Sequence, residues 1–461
     1  MPDSHRTSVC PVCLRTVSAR RETSGGETRL VSVCPEHGES SAVVWRGEPA
    51  LSAWSRPKTP STPKLPLTAR QNGCPRDCGL CPGHGQHTCT AVIEITWRCN
   101  LRCPVCYAAS GEGVPPDPSF EDLERILETV MRASGRCNIQ FSGGEPSLRE
   151  DLPQLIRRAK EIGFPFVQLN TNGLRAALEP DFAPRMAEAG LDSVFLQFDG
   201  TRDETYETLR GRPLLEEKLR AVRVFADAGV GVVLVPTVIP GVNDGDLGEL
   251  LRLAASMSPA IRGLHFQPVS YFGRYPTPPA DRARITLPEI MRGLEEQTGG
   301  LVHAGDFLPP GCEHALCSFH ANYLVEEDGS LRLLSGGGGC DCGSKPAAAP
   351  GPSVPEPTPA EKGADQAKSF VGRQWAAPKP APLELKPMDD LDRFLARAST
   401  HILAVSAMAF QDAWTLDLER LQGCCIHVAS PDGRLVPFCA YNLTSASGET
   451  LHRRTGGLPR P

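Results

Sequence analysis

The stretch of the chain that decides the fold is Ile93-Glu-Ile-Thr-Trp-Arg-Cys-Asn-Leu-Arg-Cys-Pro-Val-Cys-Tyr107, in which three cysteines follow a strand-like apolar run. Cys99, Cys103 and Cys106 have C-x3-C-x2-C spacing. A [4Fe–4S] cluster that only carries electrons normally has four cysteine ligands, so a loop with three leaves one iron free to bind another ligand. The alternatives are a zinc site and a set of small buried side chains.

A second motif, Phe141-Ser-Gly-Gly-Glu-Pro146, closes the next predicted strand. Gly143 and Gly144 lack a Cβ, so we expect a ligand to approach their backbone, while the Glu145 carboxylate can accept hydrogen bonds from an ammonium group. Together the two motifs resemble the radical S-adenosylmethionine (SAM) superfamily.

The resemblance implies that the three-cysteine loop holds the SAM-binding [4Fe–4S] cluster. It also implies that the segment from Gly143 to Pro146 binds the amino group of the SAM methionine. The sequence departs from the family at Val105, where an aromatic residue is common, and the aromatic Tyr107 follows instead. Tyr107 is therefore the local candidate for a contact with adenine.

Composition limits the class of protein. A chain of 461 residues should form several folding units, and a net charge of −6 with a pI near 6.0 argues against nonspecific binding of nucleic acid, although specific binding of a structured RNA stays open. The sequence shows neither a signal peptide nor an apolar run long enough to span a bilayer. Eighteen cysteines then read as metal ligands in a reducing cytoplasm.

Residues 8–50 form a predicted metal-bound module. Two metal-binding pairs, Cys10-x2-Cys13 and Cys34-x2-His37, are combined with strand-like segments at 30–33 and 42–45. So small a ribbon buries little core, so a metal would hold it together. Three sulfurs and one imidazole leave zinc and a single rubredoxin-like iron open.

A proline-rich tether, residues 51–70, precedes a second C-x3-C-x2-C motif within the segment 71–89. No strand-like run precedes this motif, and no Gly-Gly-Glu follows it at the next strand. We therefore interpret it as a fully ligated auxiliary cluster that relays electrons or supports the fold. Its predicted ligands are Cys74, Cys78, Cys81 and Cys89.

Between residues 90 and 300, strand-like runs alternate with helix-like periods, which is typical of parallel βα units. A capping box at Ser119 and Asp122 predicts a helix start. Six such units resemble the partial (β/α)6 TIM-like barrel of the superfamily, so the predicted fold class is α/β. The predicted strands are 91–96, 137–141, 165–170, 193–198, 231–238 and 262–268.

Sites in such barrels collect at the C-terminal ends of the strands. Gln197 and Asp199 end the fourth predicted strand, and we expect one of them to contact the ribose or carboxylate of SAM. Ordinary turn chemistry is the alternative for all such residues. The other strand-end candidates are Asn170, Thr171, Asn172, Thr237 and Gln267.

The remaining chain divides into a cysteine-containing extension (301–343), a disordered linker rich in proline and alanine (344–388) and a C-terminal element (389–461). A Pro-Asp-Gly turn at 431–433 predicts a hairpin that brings Cys424 and Cys425 near Cys439. We expect these three to bind a second auxiliary cluster with Cys312 or Cys317. Cys340 and Cys342 follow a glycine run, and Cys137 is interpreted as a packing residue.

The cysteine layout resembles one branch of the superfamily, which contains archaeal tetraether lipid synthase and a pterin-methylating enzyme. Its matching segments are the N-terminal knuckles, residues 78–89 and residues 424–442. The resemblance implies reductive cleavage of SAM to a 5′-deoxyadenosyl radical, which functionalises an unactivated carbon of a small-molecule substrate. It also implies one or two auxiliary [4Fe–4S] clusters and a low-potential electron donor such as flavodoxin or ferredoxin.

Carbon–carbon bond formation or methylation on an apolar or lipid-like substrate is the first expectation. Methylation of a pterin-like ring is the alternative. Two other classes stay open: a noncatalytic iron–sulfur electron carrier and a zinc-ribbon interaction protein. No catalytic side chain follows from the sequence.

Overall fold

The computed structural model describes residues 6–111, 114–334, 358–378 and 390–453. Its N-terminal part is a four-stranded antiparallel sheet in chain order, and the strand-like segments 30–33 and 42–45 lie within it as predicted. Trp45 packs against Trp54 with ring centroids 5.9 Å apart, which joins this sheet to the following tether. The strands are β1 (Arg6–Val9), β2 (Thr16–Ser24), β3 (Glu27–Cys34) and β4 (Gly38–Arg46).

A two-stranded parallel pair, β5 (Lys58–Thr59) and β15 (Thr358–Pro359), connects the tether to the region after residue 357. The main sheet has twelve strands. They are β6 (Thr90–Thr96), β7 (Asn138–Gly143), β8 (Val167–Thr171), β9 (Ser193–Gln197), β10 (Gly231–Val235), β11 (Thr237–Val238), β12 (Ile261–Pro268), β13 (Ser318–Val325), β14 (Leu331–Leu333), β16 (Ile402–Met408), β17 (Ile426–Ala429) and β18 (Leu435–Pro437).

Six neighbouring strands of this sheet, in the order β6-β7-β8-β9-β10-β12, are all parallel. Every residue of β7 and β10 is buried, as expected for parallel strands covered on both faces. The six correspond to the six predicted strands, so the predicted α/β partial barrel is confirmed. Within the described residues the sheet does not close into a full barrel, because β14 and β18 stand at its two ends.

Helices cover the parallel strands. The first begins at the predicted capping box, where Ser119 and Asp122 exchange side-chain-to-backbone hydrogen bonds. The helices are α1 (Phe120–Ser134), α2 (Leu152–Ile162), α3 (Leu174–Leu178), α4 (Phe182–Glu188), α5 (Asp203–Arg210), α6 (Leu215–Asp227), α7 (Leu247–Ser256), α8 (Leu287–Thr298), α9 (Ala360–Gln374), α10 (Asp390–Thr400), α11 (Leu418–Gln422) and α12 (Phe438–Asn442). None of these described helices has the length and apolar composition needed to cross a membrane.

Helix α9 corrects the prediction of a disordered linker across residues 344–388. Residues 360–374 contain no proline, and their small side chains permit close packing. A Cβ at Gly363 would lie 2.4 Å from the carbonyl oxygen of Gly311, and Ala364 is fully buried. The composition averaged over residues 344–388 is dominated by the surrounding prolines, so it did not indicate this short helix. Cys340 and Cys342 lie outside the described residues.

The C-terminal residues are built into the main sheet. Strand β16 lies between β12 and β13, while β17 pairs with β6 and with β18 as the predicted hairpin. Arg453 forms a buried ion pair with Glu94 of β6 at 2.6 Å. The barrel and the C-terminal residues therefore form one core.

Candidate active site

The three-cysteine loop follows β6 at the C-terminal edge of the parallel strands, where Cys99, Cys103 and Cys106 line one cavity. Arg274 holds the loop in place. Its backbone exchanges two 2.9 Å hydrogen bonds with Cys106, and its Nε donates to the carbonyl of Cys103 at 2.9 Å. Burial raises the pKa of the Cys99 thiol to about 12, so a bound cation would be needed to keep it ionised near neutral pH.

The Gly-Gly-Glu segment packs directly on this loop. A Cβ at Gly143, which has φ +118°, would lie 2.2 Å from the carbonyl oxygen of Thr96. A Cβ at Gly144 would lie 2.0 Å from that of Arg98. The N–H groups of Gly144 and Glu145 donate to the same two carbonyls at 2.8 Å. The missing side chains therefore let the cysteine loop pack directly on this segment, and Gly143 and Gly144 also line the cavity.

Glu145 is buried and its carboxylate faces the next strand end. Its Oε1 accepts hydrogen bonds from Thr171 Oγ1 at 2.7 Å and from Ser147 N at 3.1 Å, and its Oε2 accepts one from Asn172 N at 2.7 Å. A carboxylate has about four acceptor positions. One position is left for an ammonium donor from the cavity. Pro146 is buried at the start of a short 3-10 turn and does not line the cavity.

Just after β9 lies a buried ion pair between Asp199 and Arg210. The sequence analysis named Asp199 as a candidate but gave no sign of Arg210. Asp199 is fully buried and bonded to Arg210 through two hydrogen bonds of 2.7 and 2.8 Å, and it does not line the cavity. Arg210 and Gln197 do line it. Burial opposes the charge of Arg210, but Asp199 keeps the pKa of Arg210 above its usual value. Arg210 is therefore the charged member of this pair that lines the cavity.

Lys218 lies beneath this pair and was not anticipated. Its Nζ donates to the carbonyl of Asn172 and, at 3.0 Å, to Gln197 Oε1. Burial lowers the pKa of Lys218 to about 8. No sequence motif marks Lys218, because it lies within helix α6, shortly after an exposed turn.

Tyr107 faces the same cavity. Its hydroxyl is 2.7 Å from Ser142 Oγ, and its ring packs on Phe438 at 5.6 Å. Burial raises the pKa of Tyr107 to about 12. The ring is therefore neutral and held by the C-terminal residues.

The cavity has a volume of about 500 Å³ and six cysteines in its wall. Cys99, Cys103 and Cys106 line one region, and Cys89, Cys312 and Cys425 line another. The ligand atoms of the second trio lie within 4.8 Å of one another, with Cys89 and Cys425 sulfurs at 3.0 Å. The volume lies within the usual range for small-molecule sites.

The second trio revises both predicted auxiliary sets. Cys89 joins Cys312 and Cys425 and does not complete the set of Cys74, Cys78 and Cys81. Cys425 belongs to the second trio, whereas its neighbour Cys424 does not. Successive residues of an extended chain point to opposite sides, so adjacent cysteines can serve different sites.

The other auxiliary cysteines lie close enough to influence one another's pKa, although their sulfur atoms do not form a group as tight as the second trio. The side chain of Cys74 is hydrogen bonded to that of Cys78. The nearby thiols of Cys81 and Cys424 help to raise the pKa of Cys78. Cys317 and Cys439 likewise help to raise the pKa of Cys424. Arg420 Nη2 donates a hydrogen bond to Cys317 Sγ at 3.5 Å.

In the N-terminal sheet, Cys10, Cys13, Cys34 and His37 bring one ligand atom each within 4.8 Å of one another. His37 Nδ1 lies 3.4 Å from Cys34 Sγ and 3.6 Å from Cys10 Sγ. The hydrogen bond with His37 lowers the pKa of the Cys34 thiol to about 6. This donor set suits one tetrahedral ion.

An open parallel barrel, a three-cysteine loop and a Gly-Gly-Glu segment packed on it define the class. The chain belongs to the radical SAM superfamily and is a radical SAM enzyme. The model of that superfamily matches residues 93–254, and the model of the HMPTM N-terminal zinc ribbon domain matches residues 3–46.

One curated relative is similar over almost the whole chain. It is the 7,8-dihydro-6-hydroxymethylpterin dimethyltransferase of Methanocaldococcus jannaschii, 34% identical over 97% of this chain and 93% of its own length. The GTP 3′,8-cyclase of Corynebacterium glutamicum strain R is 33% identical over 44% of this chain and 55% of its own length. The crystal structure of Streptococcus suis SuiB bound to S-adenosylmethionine has a TM-score of 0.37 at 16% identity, covering 46% of this chain and 47% of that chain.

Proposed function

We propose that this enzyme methylates a carbon of a pterin-like ring. The observation that carries the proposal is the near full-length similarity to a pterin dimethyltransferase, which includes the N-terminal module and the C-terminal cysteines. The cavity between the two cysteine trios adds to it, because its size suits a small ring. These findings favour the pterin-like alternative over the lipid-like substrate that the sequence analysis expected first.

The residues around the cavity fit the superfamily's cofactors. Cys99, Cys103 and Cys106 would hold a [4Fe–4S] cluster with one iron open, because the other cysteines that line the cavity belong to the second trio. When bound, this cluster and SAM supply the abstraction of hydrogen from an unactivated carbon.

The chain's own residues orient SAM and exclude water. Glu145 offers its remaining acceptor position to the amino group of SAM, and Arg210 offers its guanidinium to the carboxylate. Asp199 fixes the direction of Arg210, and Lys218 fixes Gln197. Tyr107 closes the side of the cavity that faces the C-terminal residues.

We further propose two auxiliary [4Fe–4S] clusters and one zinc ion. Cys89, Cys312 and Cys425 bind one cluster. Cys74, Cys78 and Cys81 bind the other, with Cys424 as the candidate fourth ligand because it is close enough to influence the pKa of Cys78. The zinc lies in the N-terminal sheet. A low-potential donor such as flavodoxin or ferredoxin supplies the electrons.

Anaerobic incubation of the reconstituted enzyme with SAM, dithionite and 7,8-dihydro-6-hydroxymethylpterin tests the function. Mass spectrometry should show pterin carrying one or two added methyl groups, with 5′-deoxyadenosine formed alongside. A separate arm adds 5,10-methylenetetrahydrofolate, labelled at its bridging methylene carbon, as a one-carbon donor other than SAM. Formation of 5′-deoxyadenosine with no methylated pterin in any arm would contradict the pterin assignment.

A further inference from the structure

Two neighbouring strands of the barrel carry polar side chains towards its interior, where such interiors are normally filled with bulky apolar side chains. On β7 the alternate residues Asn138, Gln140 and Ser142 all line the cavity, and Gln168 and Asn170 of β8 line it beside them. Five polar side chains on two neighbouring strands thus surround a space of about 500 Å³. Such a row is placed for a polar ligand inside the barrel.

Asn138 is the strongest indication of a ligand. Its side chain is 2% exposed, and neither its Nδ2 nor its Oδ1 has a hydrogen-bond partner among the residues that the structure describes. In the same part of the chain, the buried Oδ1 of Asn170 has no partner either. Buried amide groups in native proteins are nearly always hydrogen bonded, so both point to a partner that enters the cavity.

The neighbouring amides are already oriented. Gln140 Nε2 donates to Gln168 Oε1 at 2.8 Å, and Gln168 Nε2 donates to Ser193 Oγ at 3.2 Å. This chain fixes which way each carboxamide faces. The cavity wall therefore presents donors and acceptors in a defined order.

An aromatic wall completes the site. The ring of Phe195 stacks on His265 with centroids 5.4 Å apart, and it lies 4.8 Å from the ring of Trp375, just beyond α9. Burial lowers the pKa of His265 to about 4, so this wall is uncharged near neutral pH. Flat neutral rings beside amides suit a flat heteroaromatic ligand.

We propose that Asn138, with Gln140 and Gln168 beside it, hydrogen bonds the pyrimidine edge of the pterin-like substrate while Phe195 and Trp375 contact its ring face. This inference rests on the proposed function. A carboxamide offers a donor and an acceptor side by side, which matches the amino group and ring nitrogen of that edge. A pair of hydrogen bonds at the start of β7 thus holds the pyrimidine edge of the substrate.

The test compares two ligands on the anaerobically reconstituted enzyme by equilibrium dialysis. One is 7,8-dihydro-6-hydroxymethylpterin, and the other is the same pteridine with hydrogen in place of its 2-amino group. The wild type should bind the first about tenfold or more tightly than the second. Asn138→Leu keeps the shape of the side chain and should abolish most of that preference.

Two further variants keep the test decisive. The iron content of each variant measures whether it has folded. If Asn138→Leu does not fold, Gln140→Met takes its place and should weaken the preference for the 2-amino ligand. Gln154→Leu removes an exposed amide from α2 and should leave the preference unchanged. If the wild type binds neither ligand, the proposed function fails. If it binds and methylates the pterin while Asn138→Leu or Gln140→Met keeps the full preference, this inference alone is overturned.

Discussion

The sulfur atoms of Cys89 and Cys425 lie 3.0 Å apart although 336 positions separate them in the chain. Cys89 precedes β6, and Cys425 precedes β17, which pairs with it in the parallel sense. The pairing of these two strands therefore brings the cysteines together. Cys312 completes the trio from the extension after the barrel.

Replacement of Cys89 should remove one auxiliary cluster. Cys89→Ser is expected to lower the iron bound per chain by about four, because a cube that loses one of three cysteine ligands is not retained. The control is Cys137→Ser, which changes another fully buried cysteine outside the trio. Iron analysis of both proteins after identical reconstitution checks this. Equal iron contents in the two variants would contradict the assignment.

Arg210 should control the affinity for SAM. Arg210→Met removes the charge at the cavity and leaves Asp199 buried without its partner, so we expect weaker SAM binding together with lower stability. The double variant Asp199→Asn with Arg210→Met should recover stability but keep a SAM Kd raised about tenfold or more. Calorimetric binding and thermal unfolding separate the two effects.

Arg212→Met, which changes an exposed arginine two positions away, serves as the control for the same measurements. Wild-type SAM affinity in the double variant would show that Arg210 only supports the fold.

Gly144 should be irreplaceable for a packing reason. In Gly144→Ala the added methyl group would meet the carbonyl of Arg98, which forces the cysteine loop away from the barrel. We expect a loss of about 1–3 kcal/mol in stability and poor occupancy of the SAM-binding cluster. Gly245→Ala is the control, because nothing lies within 4 Å of its added methyl group. Full cluster loading of Gly144→Ala would show that the two segments can separate freely.

His265 should make the protein sensitive to acid. Burial lowers the pKa of His265 from 6.5 to about 4. Between these two pH values His265 is therefore protonated in the unfolded chain and neutral in the folded chain. His265 alone should therefore lower the free energy of unfolding as the pH drops below 6.5, by about 2 kcal/mol at about pH 5. His265→Gln cannot bind this proton and should lose less stability between about pH 7 and about pH 5. An identical loss in thermal midpoint for both proteins would contradict the buried neutral histidine.

Local patterns in the sequence predicted the barrel strands, the capped first helix and the cysteine loop, because alternation, capping and spacing are properties of neighbouring residues. The partners of Cys89 and Cys425 could not be predicted in the same way, because they depend on the parallel pairing of β6 with β17. The strand-end pattern points to Gln197 and Asp199 and gives no sign of Arg210, for a related reason. Only the fold shows that the carboxylate is turned inward and the guanidinium outward.

Helix α9 shows a different limit. Its sequence is short and surrounded by prolines, so composition averaged over the whole segment predicted disorder. The helix is stabilised by contacts with distant residues, as at Gly363 and Gly311. The unpartnered amide of Asn138 likewise has no signature in sequence, since an asparagine at a strand start is ordinary.

We propose that Cys99, Cys103 and Cys106 hold a cluster whose open iron binds SAM. The most direct measurement is the formation of 5′-deoxyadenosine from SAM and dithionite by the anaerobically reconstituted protein. The wild type should form it, and Cys99→Ala should form none above background while retaining the iron of its auxiliary clusters. Undiminished 5′-deoxyadenosine formation by Cys99→Ala would contradict the claim.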